Sequence, residues 1–149
     1  MTDINKTVGQ LERLTQNRIV DLFKSMGYDY LGNWEDREGN SNIEEELLKK
    51  YLSDNGYTDN IIDRALYELK QASENQNKGL YYVNKDVYEL LRYGVKVKED
   101  VSENKQTVWL IDWENPENNH FAIAEEVTIK GQHDKRPDIV LYVNGIALG

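Results

Sequence analysis

Arg136-Pro137-Asp138-Ile139-Val140-Leu141-Tyr142-Val143-Asn144-Gly145 is the stretch whose reading decides the fold. A Pro-Asp pair opens a nearly uninterrupted apolar run, and an Asn-Gly pair closes it. Ile139 to Val143 is β-branched and aromatic with almost no alternation, the pattern of a central strand buried on both faces. Asn144-Gly145 is the strongest short hairpin signal in the chain, because both positions accept positive φ. Ile146 to Leu148 then begins the returning strand. With a two-residue turn Val143 pairs with Ile146, so paired positions sum to 289 and the position facing Asp138 is number 151. The reading therefore expects whatever Asp138 shares with that strand to lie just past Gly149, give or take a bulge.

Working outward, 149 residues is the size of one domain, able to bury roughly two thirds of its unfolded surface. The expected organisation is a single partial domain over 1–149, helical to about 94 and sheet-forming from about 95. There is no cysteine, which removes disulfides, thiolate metal sites and cysteine nucleophiles. No apolar run approaches the roughly 18–20 residues that cross a bilayer, and the polar start lacks a signal-peptide core. A soluble, cytoplasmic protein with no membrane partner is expected. The net charge of −9 argues against a module with a basic nucleic-acid footprint. It leaves room for a metal-dependent nuclease, whose site gathers acids. Ten tyrosines and three tryptophans could stack on bases, although core packing explains them as well.

Taken in order, the chain predicts an amphipathic helix over about 8–26, with Val8, Leu11, Ile19, Leu22, Phe23 and Met26 in one core-facing stripe and Gly27 as its stop. Glu12 falls inside that stripe. Tyr28 to Trp34 predicts a short strand. Ser41-Asn42-Ile43-Glu44 has capping-box spacing before a second helix that stops at Gly56. A third helix begins near Thr58 or Asp59, and a fourth spans about 84–92 before Gly94. Val95 to Val97 predicts a short strand, Val108 to Trp113 a strong one, and 120–129 an antiparallel or edge strand. Helices packed on a mixed sheet, an α/β or α+β class, follow from this order.

Candidate chemistry rests on carboxylates. His120 and His133 sit in polar surroundings and read as surface residues; no nucleophile elbow or phosphate loop is present. Asp138 is the specific candidate. A hard cation needs oxygen ligands on rigid elements, and magnesium takes only one or two protein carboxylates plus substrate phosphates. The competing reading is a turn aspartate bonded to nearby amides. Glu12 either reaches solvent near the positive helix end or points toward a buried site as a metal or water ligand. Asp112 reads as a cap or turn residue. Glu125 and Glu126 read as solvated acids, although whichever faces inward could approach a metal.

With these residues in view, the runs Asp112-Trp113-Glu114-Asn115-Pro116-Glu117-Asn118-Asn119-His120-Phe121 and 136–145 resemble the N-terminal endonuclease region of the restriction (R) subunit of type I restriction-modification enzymes. Glu12-Arg13-Leu14-Thr15-Gln16 and Gly94-Val95-Lys96-Val97 fit the same family. The resemblance implies a restriction-endonuclease-like PD-(D/E)xK fold, a mixed sheet flanked by helices, that cleaves foreign unmethylated DNA with Mg2+. It implies that Pro137-Asp138 is the PD element, with Asp138 catalytic and metal-binding, and that Glu12 matches a helix acid of some such nucleases. The (D/E)xK acid and lysine belong on the strand after the hairpin. The implied partners are double-stranded DNA and the methylation and specificity subunits, and the implied parent carries an ATP-consuming motor. Ala147 stands where the family has proline, and Glu125-Glu126 where it has glutamine. On this reading the 149 residues alone are expected to be inactive, and the sheet edge along 138–143 to favour self-association. The alternative is a non-catalytic docking or structural module on a degenerate nuclease fold.

Overall fold

The computed structural model describes residues 2–127 and 139–148, the side chains of 2–8 excepted. Asp138 and His133 lie outside the described residues. The chain divides into two compact units, one of residues 1–44 and 120–149, the other of 45–119. The structure is mixed α/β.

The first unit holds α1 (Thr2–Ser25), β1 (Asp29–Asn33), β4 (Phe121–Glu125), β5 (Ile139–Val143) and β6 (Ile146–Ala147). The sheet runs β1-β4-β5-β6, with β1 parallel to β4 and the other pairs antiparallel. β4 pairs antiparallel with β5, as expected, but it is an interior strand and not an edge, with Ala122, Ile123, Ala124 and Glu125 all buried. β5 is also interior, but its two faces differ: Val140 and Tyr142 are buried, while Ile139, Leu141 and Val143 are half-buried. One face therefore packs on the core of Ala122, Ala124, Val127, Val140 and Tyr142 and the other is only partly covered.

The turn forms as read. Asn144 has φ +52° and Gly145 φ +83°, and Val143 pairs with Ile146 and Tyr142 with Ala147, which keeps the sum of 289. Asn144 adds a non-local bond: its buried Oδ1 accepts from the His120 amide at 2.7 Å. On the far side of β6, the Glu44 amide donates to the Gly145 carbonyl and the Ala147 amide to the Asn42 carbonyl, so the hairpin is flanked there by the 42–44 segment. That docking displaces the expected capping box. The Ser41 hydroxyl bonds within its own turn to Ile43, and the next helix begins only at Glu45.

The phenol oxygen of Tyr142 is buried with no hydrogen-bond partner among the described residues. Burial pushes its pKa up to about 12, with the nearby Glu44 charge adding to the shift. A buried unpaired hydroxyl costs roughly 1–3 kcal/mol. Tyr142→Phe is therefore expected to leave the melting temperature unchanged or raise it; a fall of several degrees would reveal a bond to that oxygen.

The second unit holds α2 (Glu45–Asp54), α3 (Asp59–Ser73), α4 (Leu80–Tyr93), and the antiparallel pair β2 (Val95–Val97) and β3 (Gln106–Val108). Thr58 caps α3 through its side chain, as expected. α4 starts four residues earlier than its apolar pattern suggested, because Leu80, Tyr81 and Tyr82 are exposed and leave no periodic signal. The strong strand expected over 108–113 stops at Val108. Leu110 and Ile111 are buried, but the backbone amides around them are taken by side chains: Trp109 N–H by the Tyr57 hydroxyl at 3.0 Å and Asp112 N–H by Asn119 Oδ1 at 2.8 Å. An apolar run satisfied this way needs no ladder. No helix among the described residues is long and apolar enough to cross a membrane.

Candidate functional site

α1 meets the sheet by an unexpected face. Of the stripe expected to point inward, Leu11, Ile19, Leu22 and Met26 are exposed. Val20 is buried, Phe23 and Gln16 are half-buried, and Phe23 packs edge-on against Tyr28. At about 100° per residue, Arg13, Gln16, Val20 and Phe23 form one line; Leu11, Leu14 and Leu22 lie roughly 150° around from it, and Met26, just past the helix end, about 100° around.

What draws the polar line inward is Glu125, at the end of β4. The residue is 2% exposed, which corrects the expectation of a solvated acid. Its Oε2 accepts from Arg13 Nη1 at 3.0 Å and from Gln16 Nε2, and its Oε1 accepts from the Tyr30 hydroxyl at 2.5 Å. Gln16 also donates to Glu126 at 3.3 Å. Burial alone would raise the Glu125 pKa; the donors from Tyr30 and Gln16 and the Arg13 charge outweigh it and hold the carboxyl below its ordinary range. The same pair moves Tyr30 the other way, up to about 12, through burial first and then its bond to the carboxylate. The signal for Glu125 was present in the sequence: at period two it shares a face with Phe121, Ile123 and Val127.

A folded pKa below the unfolded value of about 4.3 means that Glu125 stabilises above that pH, and that the contribution is lost as pH falls through the folded value. The melting-temperature gap between the native chain and Glu125→Gln is expected to be widest near neutral pH and to shrink toward about pH 3. An equal gap at both ends would show that the carboxylate charge is not what the donors hold.

Beside this network lies an open cleft of about 530 Å³, lined by Glu12, Arg13, Gln16, Glu126 and Ile139, among others. Glu12 is exposed on α1 rather than turned into a core. Glu126 adopts φ +54°, bending the chain out of β4 at the cleft wall. Ile139, the first residue of β5, pairs opposite Glu125 and follows Asp138 directly in the chain. Among the described residues no three His, Cys, Asp or Glu side chains form a ready metal cluster. Glu12 and Glu126 both line this opening, and carboxylate oxygen is the donor type that a hard cation takes.

The other candidates are structural. Asp112 Oδ1 accepts from the Glu114 and Asn115 amides and Oδ2 from Asn118, an arrangement that lowers its pKa, chiefly through the Asn115 amide. His120 pairs with Asp29 at 2.7 Å.

The family described as type I restriction enzyme R protein N terminus (HSDR_N) matches residues 9–149. The chain belongs to this family. Two relatives from Methanocaldococcus jannaschii carry names that give them as endonuclease subunits of type I restriction enzymes, MjaIXP and MjaVIIIP. The first is 26% identical over 91% of this chain, the second 25% identical over 92%. The chain spans 14% and 13% of their respective lengths. The matched residues include α1 from Gly9 onward, the Glu125 network and the β5–β6 hairpin.

Proposed function

We propose that this chain is the opening part of the nuclease domain of a type I restriction R subunit, with a PD-(D/E)xK fold. The function proposed for the whole subunit is Mg2+-dependent hydrolysis of phosphodiesters in foreign double-stranded DNA. The observation that carries the reading is the convergence on one cleft of an acid from α1, Glu126 beyond β4, and Ile139, the chain neighbour of Asp138. Asp138 and Glu12 are the carboxylates we assign to the cation, and with the register of Tyr142–Ala147 and Val143–Ile146 extrapolated we assign position 151 to face Asp138. We assign the second acid and the lysine to that returning strand. Bound magnesium would supply polarisation of the scissile phosphate and acidify a bound water. The Arg13 side chain, half-exposed at the same opening, offers positive charge to an approaching phosphate.

The remaining length of the relatives leaves room for the ATP-driven motor, and the methylation and specificity subunits are the partners proposed to select the DNA. The test is cleavage of unmethylated duplex DNA, with and without Mg2+, by the subunit extended past Gly149 and by the 149-residue chain. Metal-dependent cutting by the longer protein alone supports the reading. A longer protein that takes up no divalent cation would shift the assignment to a docking module of the restriction complex.

A further inference from the structure

We infer that Glu125 is a positioning residue: its buried carboxylate selects which face of α1 meets the sheet and so presents Glu12 at the cleft. Hydrophobicity alone favours the opposite orientation, with Leu11, Leu14, Leu22 and Met26 packed inward, yet these four are between 57% and 61% exposed. The face that does pack contributes one buried residue with a described side chain, Val20. Apolar burial at that size cannot outbid a four-residue stripe.

The difference lies in the three donors on Glu125. An unpaired buried carboxylate is far more costly than an exposed leucine, and among the described residues of α1 the side chains that reach it are Arg13 and Gln16, at i and i+3. Satisfying Glu125 therefore fixes the rotation of α1. Glu12, adjacent to Arg13, is carried with it to the rim of the opening that Glu126 and Ile139 line. The value of Glu12 as a cation ligand rests on the nuclease reading, whereas the orientation of the helix does not.

The chain has no cysteine, so single thiols can report the orientation directly. Three probes are placed in turn: Val20→Cys on the packed face, Leu14→Cys on the exposed face, and Ala124→Cys inside β4. In the native background the Val20→Cys thiol is expected to alkylate at least about tenfold more slowly than the Leu14→Cys thiol. Adding Glu125→Gln is expected to bring the two rates within about threefold, while Ala124→Cys stays protected. Gln16→Leu, which removes one donor and leaves the acid, gives the same result in smaller measure if Glu125→Gln proves too unstable to purify. Unchanged protection at Val20→Cys overturns the inference. So does an equal rise at Ala124→Cys, since that is general loosening of the unit.

Mn2+ titration followed by electron paramagnetic resonance, on the extended subunit, separates the two readings. Weakening by both Glu12→Gln and Glu125→Gln supports the positioning role at a metal site. No Mn2+ binding by the unsubstituted protein, together with the expected labelling pattern, removes the metal assignment and leaves the helix-orienting role standing.

Discussion

Asp138→Ala in the subunit extended past Gly149 is expected to reduce DNA cleavage by roughly a thousandfold or more, with little change in thermal stability. The magnitude follows from what a carboxylate-held cation supplies. Polarising a phosphoryl oxygen is worth several kcal/mol in the transition state, and about 1.4 kcal/mol is tenfold in rate. The position of Asp138 in the chain makes it the sharp test, because β5 starts one residue later, at Ile139, on the wall of the cleft that Glu12 and Glu126 share.

The competing role for an aspartate after proline moves a different observable. A turn aspartate holding nearby amides contributes about 1 kcal/mol per hydrogen bond to folding and nothing to turnover. Its alanine variant would melt lower and cut as fast. Measuring cleavage of unmethylated duplex beside a melting curve therefore separates the two, and a variant with native turnover and a depressed melting temperature would sink the metal assignment. Glu12→Gln in the same assay is expected to lose less, since an exposed ligand on α1 is replaced more readily by water.

How much of this was legible in the sequence depends on how local each determinant is. The hairpin was fully legible, because Asn144 and Gly145 are the residues that tolerate φ of +52° and +83°, and the two-residue turn then dictates the pairing. The third helix was legible for the same reason, with Thr58 capping three residues ahead. The segment after Val108 was not. Its apolar run is sound strand sequence, but Tyr57, 52 residues upstream of Trp109, takes one of its amides. The stripe on α1 was visible and its periodicity correct; its direction was misread. That direction is set by a carboxylate 112 residues from Arg13, and no window along the helix contains it. For the site, the sequence singled out Glu12 and Asp138 but treated Glu125 as one of two adjacent surface acids. The apolar company of Glu125 at period two was the available clue.

Gly94→Ala is expected to be the most damaging single methyl group in the second unit. Gly94 ends α4, its amide donating to the Leu90 carbonyl, and the chain enters β2 at the next residue. The junction holds φ +81° and ψ +169°, a region that only glycine occupies without strain of roughly 1–3 kcal/mol. A β-carbon there would also stand 3.1 Å from the Val108 carbonyl oxygen and overlap Thr107 Cγ2. Both neighbours belong to β3, which pairs with β2 from Val95 to Val97, so relief would require the hairpin to shift. Overpacking of this kind adds about 1–3 kcal/mol. The two contributions predict a loss of roughly 2–6 kcal/mol and a melting temperature lower by about 4–24 °C for a chain of this length. Gly79→Ala is the control: it has φ −64° and its nearest neighbour is Tyr82 Cδ2 at 4.0 Å, so a shift of at most a few degrees is expected. The two causes separate in the double variant Gly94→Ala with Thr107→Ser. Removing Cγ2 while keeping the hydroxyl that accepts from Lys96 is expected to restore part of the steric loss and none of the backbone strain. Full recovery in that variant would place the whole cost in the Thr107 contact, and no recovery would place it in the backbone and the Val108 carbonyl.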